Sequence, residues 1–373
     1  MGNMGSAHAR NILEDKVPGL KLVAVADKNP DELKDFEALE CFDEGSSLIE
    51  SRNVEAVIVA TPHYDHTTLG IQALEAGLHV LVEKPISVHK ADCERLIAAY
   101  TNPDQVFAAM FNQRTDPRYI RLKGLIDSGE LGKINRVQWT ITDWFRTFTY
   151  YASGGWRATW AGEGGGVLLN QCPHQLDLWQ WLFGMPESVR AHIELGRFHD
   201  IEVEDDVTAY LRYKDGMSGV FITTTGEAPG TNRLEIATER GKVIVEGTTI
   251  EWTRNETETL EHSKTTEKAF GKPGTWNIEI PHDGTGEQHV GIMKNFANAI
   301  LHGEELIAPA SEGIHSVELA NSMIQSGLED RTVSMPLDAP AYEVLLKEKI
   351  ATSTHKKVVK EVTTSSDDFA NSN

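Results

Sequence analysis

Basic residues are in short supply in this 373-residue sequence: Lys and Arg number 35 against 56 Asp and Glu, a formal charge of −21. That balance works against nucleic acid and anionic membrane as partners. Cysteine is scarce too. Cys41, Cys93 and Cys172 lie far apart in the chain, which excludes a disulfide framework and predicts a reducing, cytoplasmic setting. No apolar run approaches the roughly 18 residues of a membrane span, and the first residues lack the basic-then-apolar pattern of a secretory signal. No internal repeat is visible. What remains is an ordinary soluble composition, 40% hydrophobic and 24% charged, long enough for two or three domains.

The first third alternates between short apolar runs and helical segments. Buried strands are expected over Leu20–Ala26, Val54–Ala60, Val80–Val82 and Val106–Phe111, and helices over Ser6–Leu13, Asp31–Leu39, His66–Ala76 and Val88–Tyr100. This spacing predicts a doubly wound parallel sheet over residues 1–115. Ligands of such sheets bind beyond the carboxyl ends of the strands. Glu83, Lys84 and Pro85 follow the Val80–Val82 run at that end, and Thr61, Pro62 and His63 follow the previous one. A strand ending in solvated charges with a turn proline would read the same way. A cis Lys84–Pro85 bond is compatible with a tight functional turn.

Gly2-Asn3-Met4-Gly5 looks like the latter part of a G-x-G-x-x-G dinucleotide turn. The earlier glycine would let backbone approach a pyrophosphate, and the later one would let helix and strand pack closely. Asp27 ends the next strand, where an acid can bind ribose hydroxyls; it can also be a turn acid before Pro30. An acid there repels a 2′-phosphate, which favours NAD over NADP, although Lys28 beside it leaves NADP as the lesser alternative. The strand that should precede the glycine turn is not in the sequence. It would be the central one, so its absence is expected to expose two sheet edges. Cofactor affinity would then suffer, unless another segment such as Val358–Val362 fills the gap.

Beyond residue 115 the rhythm changes to alternation. Ile134–Thr142, Val189–Leu195, Val207–Tyr213, Val220–Thr224, Leu234–Ala237 and Val243–Val245 read as strands of an antiparallel sheet with one polar face. Pro117–Ser128, Gln288–Leu301 and Glu312–Gly327 read as helices. Residues 116–350 form a second, α+β domain, and residues 351–373 a polar, mobile tail.

Gly164–Asp177 carries the densest chemistry. Pro173 suits the first turn of a helix, placing His174 and Asp177 on one face. The helix dipole there disfavours imidazolium, so His174 can accept a proton, although an isolated histidine is more commonly a capping or core residue. Cys172, His174 and Asp177 lack the spacing and the second cluster of a metal site, so no metal is expected. Just upstream, Trp144, Phe145, Phe148, Tyr150, Tyr151, Trp156 and Trp160 surround Arg146 and Arg157. Aromatic faces can stack on sugar rings while Arg donates to hydroxyls; a core or subunit interface uses the same residues.

Together, Gly2–Gly5, Asp27, Thr61-Pro62 with His66, Glu83-Lys84-Pro85, Asn112 with Arg114, and Gly164–Asp177 resemble the Gfo/Idh/MocA oxidoreductase family, in the family's order over residues 1–330. The resemblance implies a Rossmann domain followed by a domain with a large open antiparallel sheet that pairs subunits as a homodimer or homotetramer. It implies NAD(P)-dependent oxidation of a secondary hydroxyl on a sugar-like small molecule. Lys84 matches the family's active-site lysine, His174 its acid/base histidine and Asp177 the acid one turn on. Gly2, Asn3, Met4, Asp27, Thr61, Pro62, His66, Glu83, Lys84, Asn112 and Arg114 would contact cofactor. Lys84, Trp144, Tyr150, Trp156, Arg157, Asn170 and His174 would contact substrate. Asn170 stands where many members carry Asp; an amide cannot take a proton but can bind a hydroxyl, so proton transfer should rest on His174, assisted by Lys84. Two alternatives stay open: redox-neutral epimerisation or glycoside elimination with retained NAD, and a non-catalytic NAD-dependent sensor.

Overall fold

The apolar run ahead of Lys84 becomes the middle strand of a three-stranded parallel sheet. A computed structural model describes residues 1–360. In it β1 (Ala24–Ala26) pairs with β2 (Glu40–Phe42), and β3 (Ala56–Val59), β4 (His79–Val82) and β5 (Phe107–Ala109) form a separate sheet in the order β3-β4-β5. Val80, Leu81 and Val82 are fully buried, as expected of a parallel strand covered on both faces. Among the described residues no strand bridges β1 and β3. Val358–Lys360 does not fill that place: it lies against the second domain, with the Lys360 amide donating to the Ala152 carbonyl. Glu361 and Val362, like the rest of the tail, lie outside the described residues.

Two local expectations shrink. The strand expected from Leu20 forms only over Ala24–Ala26, because its partner β2 is itself three residues long. The helix expected over Asp31–Leu39 is a 3₁₀ segment, Pro30–Phe36, started by the Asn29 side chain accepting from the Asp31 amide.

The second domain is built on nine strands. These are β6 (Ile134–Ile141), β7 (Ser188–Leu195), β8 (Glu204–Arg212), β9 (Ser218–Thr224), β10 (Asn232–Thr238), β11 (Gly241–Glu246), β12 (Thr249–Asn255), β13 (Thr275–Glu279) and β14 (Val333–Ser334). Their order is β13-β12-β11-β10-β6-β9-β8-β7-β14. All neighbours are antiparallel except β6 and β9, which run parallel. One face is covered by the helices Pro173–Phe183 and Gly313–Leu328, where Trp179 meets Phe221 edge-on at 5.8 Å.

The chain does not divide cleanly at residue 116. Ile292, Met293 and Phe296, on the helix Gln288–His302, join Val80, Val82 and Phe107 in the first domain's core, as do Ala308, Ala310 and Val317. A final helix, Ala339–Thr352, closes the fold beside Lys90, whose ammonium meets Glu318 at 2.8 Å and the Leu337 carbonyl at 2.8 Å.

Candidate active site

The turn after β4 is held from three directions. Glu83 accepts from the Lys84 amide at 3.0 Å and meets His8 Nε2 at 2.7 Å. Burial would raise the Glu83 pKa, but His8 beside it, with His289 and Lys84, drives the carboxyl far below its usual range. His66 lies with Nδ1 2.8 Å from the Pro85 carbonyl and Nε2 2.7 Å from the Thr61 carbonyl, tying the ends of β3 and β4 together. The Lys84–Pro85 peptide is cis.

From this turn Lys84 reaches across to the second domain. Its ammonium donates to the backbone carbonyl of Asn170 at 3.0 Å. Among the described residues it forms no ion pair with a carboxylate. Burial lowers its pKa, and Glu83 and Glu163 oppose that shift. Asn170 ends a short helix, Val167–Asn170. That helix is anchored by the buried Glu204, which accepts from the Gly166 amide at 2.8 Å and the Leu168 amide at 3.1 Å. Burial pushes Glu204 up to about 7. Gly166 is required here, because a Cβ would fall 2.0 Å from the Glu204 carbonyl oxygen.

The next helix begins at Pro173, and His174 sits buried in its first turn. Phe111 stands edge-on to its ring at 6.3 Å. Burial, then the charges of Lys84 and His289, hold His174 well below 6.5, so it is neutral and its Nδ1 has no partner. Asp177 is placed elsewhere. Its carboxylate receives Arg114 Nε at 2.8 Å and Nη2 at 2.7 Å, while Arg114 Nη1 meets Glu312 at 2.6 Å. Each of the two motif residues is spent on the other, in a buried bidentate pair. Asn112 donates to Gln288 at 2.8 Å and leaves its Oδ1 unpartnered.

The aromatic loop converges on Asn170. Tyr150 donates to Asn170 Oδ1 at 3.1 Å and accepts from Arg157 at 2.8 Å and from Gln171 at 3.0 Å. The Arg157 guanidinium lies 4.5 Å from the Tyr150 ring and 4.6 Å from that of Trp156. Trp144 lines a neighbouring cleft of about 480 Å³ with Trp139, Asp143, Arg146, Gln175 and Asn232. The Trp144 indole N–H and the Gln175 carbonyl oxygen are buried there without partners. Arg146 joins the two regions, 5.3 Å from the Trp144 ring and 5.1 Å from that of Tyr150.

The Gly2–Gly5 turn lies open on one side. Gly2 caps the helix Asn3–Leu13, and a Cβ on it would have no atom within 4 Å, so the backbone there is open to approach; Met4 lies in the first turn. A Cβ on Gly5 would make only ordinary contacts, at 3.7 Å and 3.8 Å, so close helix packing does not demand that glycine. Asp27 sits at the carboxyl end of β1, bound to the Met1 ammonium and accepting from the Asn29 amide at 2.8 Å. Thr61 Oγ1 is buried without a partner beside Pro62. Open backbone at a helix N-terminus, with unpartnered polar atoms at two strand ends, fits a dinucleotide.

Glu163, Glu204, Asp143, Gln171 and Asn232 were not singled out from the sequence. A charged residue abutting the Gly164–Gly166 run was the available signal for Glu163. Nothing local marks Asp143 and Asn232, which the β6–β10 pairing brings together. Among the described residues no group of His, Cys, Asp and Glu is arranged for a metal, and no helix is long and apolar enough to cross a membrane.

Residues 1–111 match the oxidoreductase family with an NAD-binding Rossmann fold, and residues 119–244 match the Gfo/Idh/MocA C-terminal domain. The myo-inositol 2-dehydrogenase of Thermotoga maritima is 26% identical over 260 residues, covering 66% of this chain and 73% of its own. The scyllo-inositol 2-dehydrogenase (NADP(+)) IolW of Bacillus subtilis is 24% identical over 325 residues, covering 81% of this chain and 85% of its own. The WlbA dehydrogenase from Bordetella pertussis, solved in complex with NADH and UDP-GlcNAcA, superposes with a TM-score of 0.76 at 26% identity, over 90% of this chain and 97% of its own. Both halves of the molecule thus point the same way, and the chain belongs to the Gfo/Idh/MocA family of oxidoreductases.

Proposed function

We propose that the protein oxidises a secondary hydroxyl of a sugar, cyclitol or glycoside, with NAD accepting the hydride. The observation that carries this reading is the reach of Lys84 from the end of β4 to the Asn170 carbonyl, four residues before a buried, neutral His174. Gly2, Asn3, Met4, Asp27, Thr61, Pro62 and Asn112 would hold the dinucleotide. Bound NAD supplies the hydride acceptor. His174 takes the hydroxyl proton on a ring nitrogen, and Lys84 donates a hydrogen bond that steadies charge developing on the same oxygen. Asn170, Tyr150 and Arg157 bind neighbouring hydroxyls, and Trp156 presents an aromatic ring beside Arg157. The neighbouring cleft at Trp144, which Lys84 and His174 do not line, offers Asp143, Asn232 and Gln175 to a more distant part of a polyhydroxylated ligand. Asp27 favours NAD over NADP, because a carboxylate repels a 2′-phosphate.

The exposed face of β8, with Thr208, Tyr210 and Arg212, supports pairing of two copies across the large sheet; light scattering tests this. For the reaction, purified protein, NAD and a panel of sugars and cyclitols are followed by nicotinamide absorbance. Net NADH formation is expected, with His174→Ala and Lys84→Ala each reduced about 10²–10⁴-fold. Unchanged turnover in both variants would remove the assignment. Conversion of a glycoside without NADH accumulation would replace net oxidation by redox-neutral chemistry.

A further inference from the structure

We propose that Glu163 is a positioning residue of this site: its carboxylate fixes the orientation of the Asn170 amide and supplies the negative charge that an amide at that position lacks. The inference rests on the reading of Lys84 and Asn170 given above.

Glu163 is 1% exposed and lies seven residues before Asn170, at the start of the triple glycine. Its Oε1 accepts from the Asn170 side-chain amide and its Oε2 from the Ala158 backbone amide. Burial raises the Glu163 pKa, and Arg157 with these two donors opposes the rise; both carboxylate oxygens face donors, the pattern that suits the ionised form. With its N–H₂ committed to Glu163, the Asn170 amide has its oxygen turned to the Tyr150 hydroxyl and the Gln171 amide, at 3.1 Å and 2.9 Å. The orientation is thus determined by a chain of donors and acceptors that begins at Glu163. The opposite face of Asn170, its backbone carbonyl, receives Lys84. Lys84 is surrounded by Glu83, Glu163, Arg157 and Arg146, with His174, His63 and His289 nearby. Glu83 is tied to His8 and acts on Lys84 alongside Glu163. Glu163 in turn faces Arg157, Lys357, Tyr151 and Glu204.

A swap follows from this arrangement. In Glu163→Gln the single amide oxygen can serve either the Ala158 amide or Asn170; kept on Ala158, it sets the new N–H₂ against that of Asn170, which then has to turn its oxygen away from Tyr150. In Asn170→Asp, two carboxylates meet and one must take up a proton. The double variant Glu163→Gln/Asn170→Asp exchanges amide and carboxylate and restores every donor–acceptor pair.

The first test needs no turnover. The rate of Lys84 acetylation by acetic anhydride is followed against pH by mass spectrometry on the wild type, both single variants, the double variant and Glu163→Asp. Removing the nearby negative charge makes the ammonium easier to deprotonate, so the midpoint in Glu163→Gln should move to lower pH by about one unit. It should return toward wild type in the double variant and in Glu163→Asp. In the oxidation assay the alkaline limb of kcat/KM should move the same way, and the double variant should recover about tenfold over the weaker single variant. An unmoved midpoint in a folded Glu163→Gln, or a double variant no better than the singles in both readouts, overturns the inference. If no sugar is oxidised, the proposed function falls and the labelling still decides Glu163. If Lys84→Ala abolishes oxidation while every Glu163 variant behaves as wild type, only Glu163 falls.

Discussion

Arg114 and Lys84, both cations that bridge the two halves of the molecule, are handled in opposite ways. Arg114 meets two carboxylates directly, Asp177 through both arms of its fork and Glu312 at the rim. Lys84 meets none; its ammonium rests on a neutral backbone carbonyl, and the nearest carboxylate within its own turn is tied to His8. A saturated bidentate pair has no capacity left for a ligand, and its worth lies in holding the helix Pro173–Phe183 against the segment Asn112–Thr115. A lysine with a single weak acceptor keeps two N–H donors to offer. Both cations stood in the sequence as site candidates, and the position of the opposite charge separates them.

The contrast can be broken most sharply at Asp177. Asp177→Ala leaves a buried guanidinium without its main partner, and should cost about 3–5 kcal/mol in chemical denaturation. Lys84→Ala should cost little stability while removing turnover. If the two variants show the reverse, the roles assigned to the cations are exchanged.

A smaller effect is expected at Tyr150. Its hydroxyl joins Arg157, Gln171 and Asn170, so Tyr150→Phe leaves two part-buried donors short of an acceptor and should raise KM about tenfold, with a stability loss of about 1 kcal/mol. The pH dependence offers a further check. Burial, together with Lys84, lowers the His174 pKa, so the imidazole stays unprotonated below 6.5 and the acid limb of kcat/KM should fall below that pH. An acid limb above 6.5 would mean an imidazole stabilised as a cation, contrary to its surroundings. The smallest change should come from Glu312→Ala: its side chain is 41% exposed, and loss of that ion pair should cost no more than about 1 kcal/mol.

Much of this was legible in the sequence, for reasons that can be named. The run at Val80–Val82 is apolar because both faces are covered, and Pro173 and Gly184 bracket a helix as their backbone preferences require. The pairing of Asp177 with Arg114 was not legible, because 63 residues separate them and periodicity says nothing about which faces meet. β12 and β13 were passed over: Thr249–Asn255 alternates but carries only Ile250 and Trp252 as apolar residues, and β13 is exposed along its whole length. Glu163 stayed hidden because its significance depends on a loop folding back onto Asn170.

The helix Gln288–His302 gives the architecture a further meaning. Because Phe296 and Ile292 fill the core beneath β4, the cofactor half is completed by chain that has already traversed the substrate half. The polypeptide therefore crosses between the halves near residues 111–117, again near 280–288, and a third time along Gly313–Leu328, whose Val317 belongs to the first core and whose Leu319, Met323 and Ile324 belong to the second. With three links the halves are laced together rather than joined at one strap, so the reach of Lys84 to the Asn170 carbonyl is tied down by chain on more than one side.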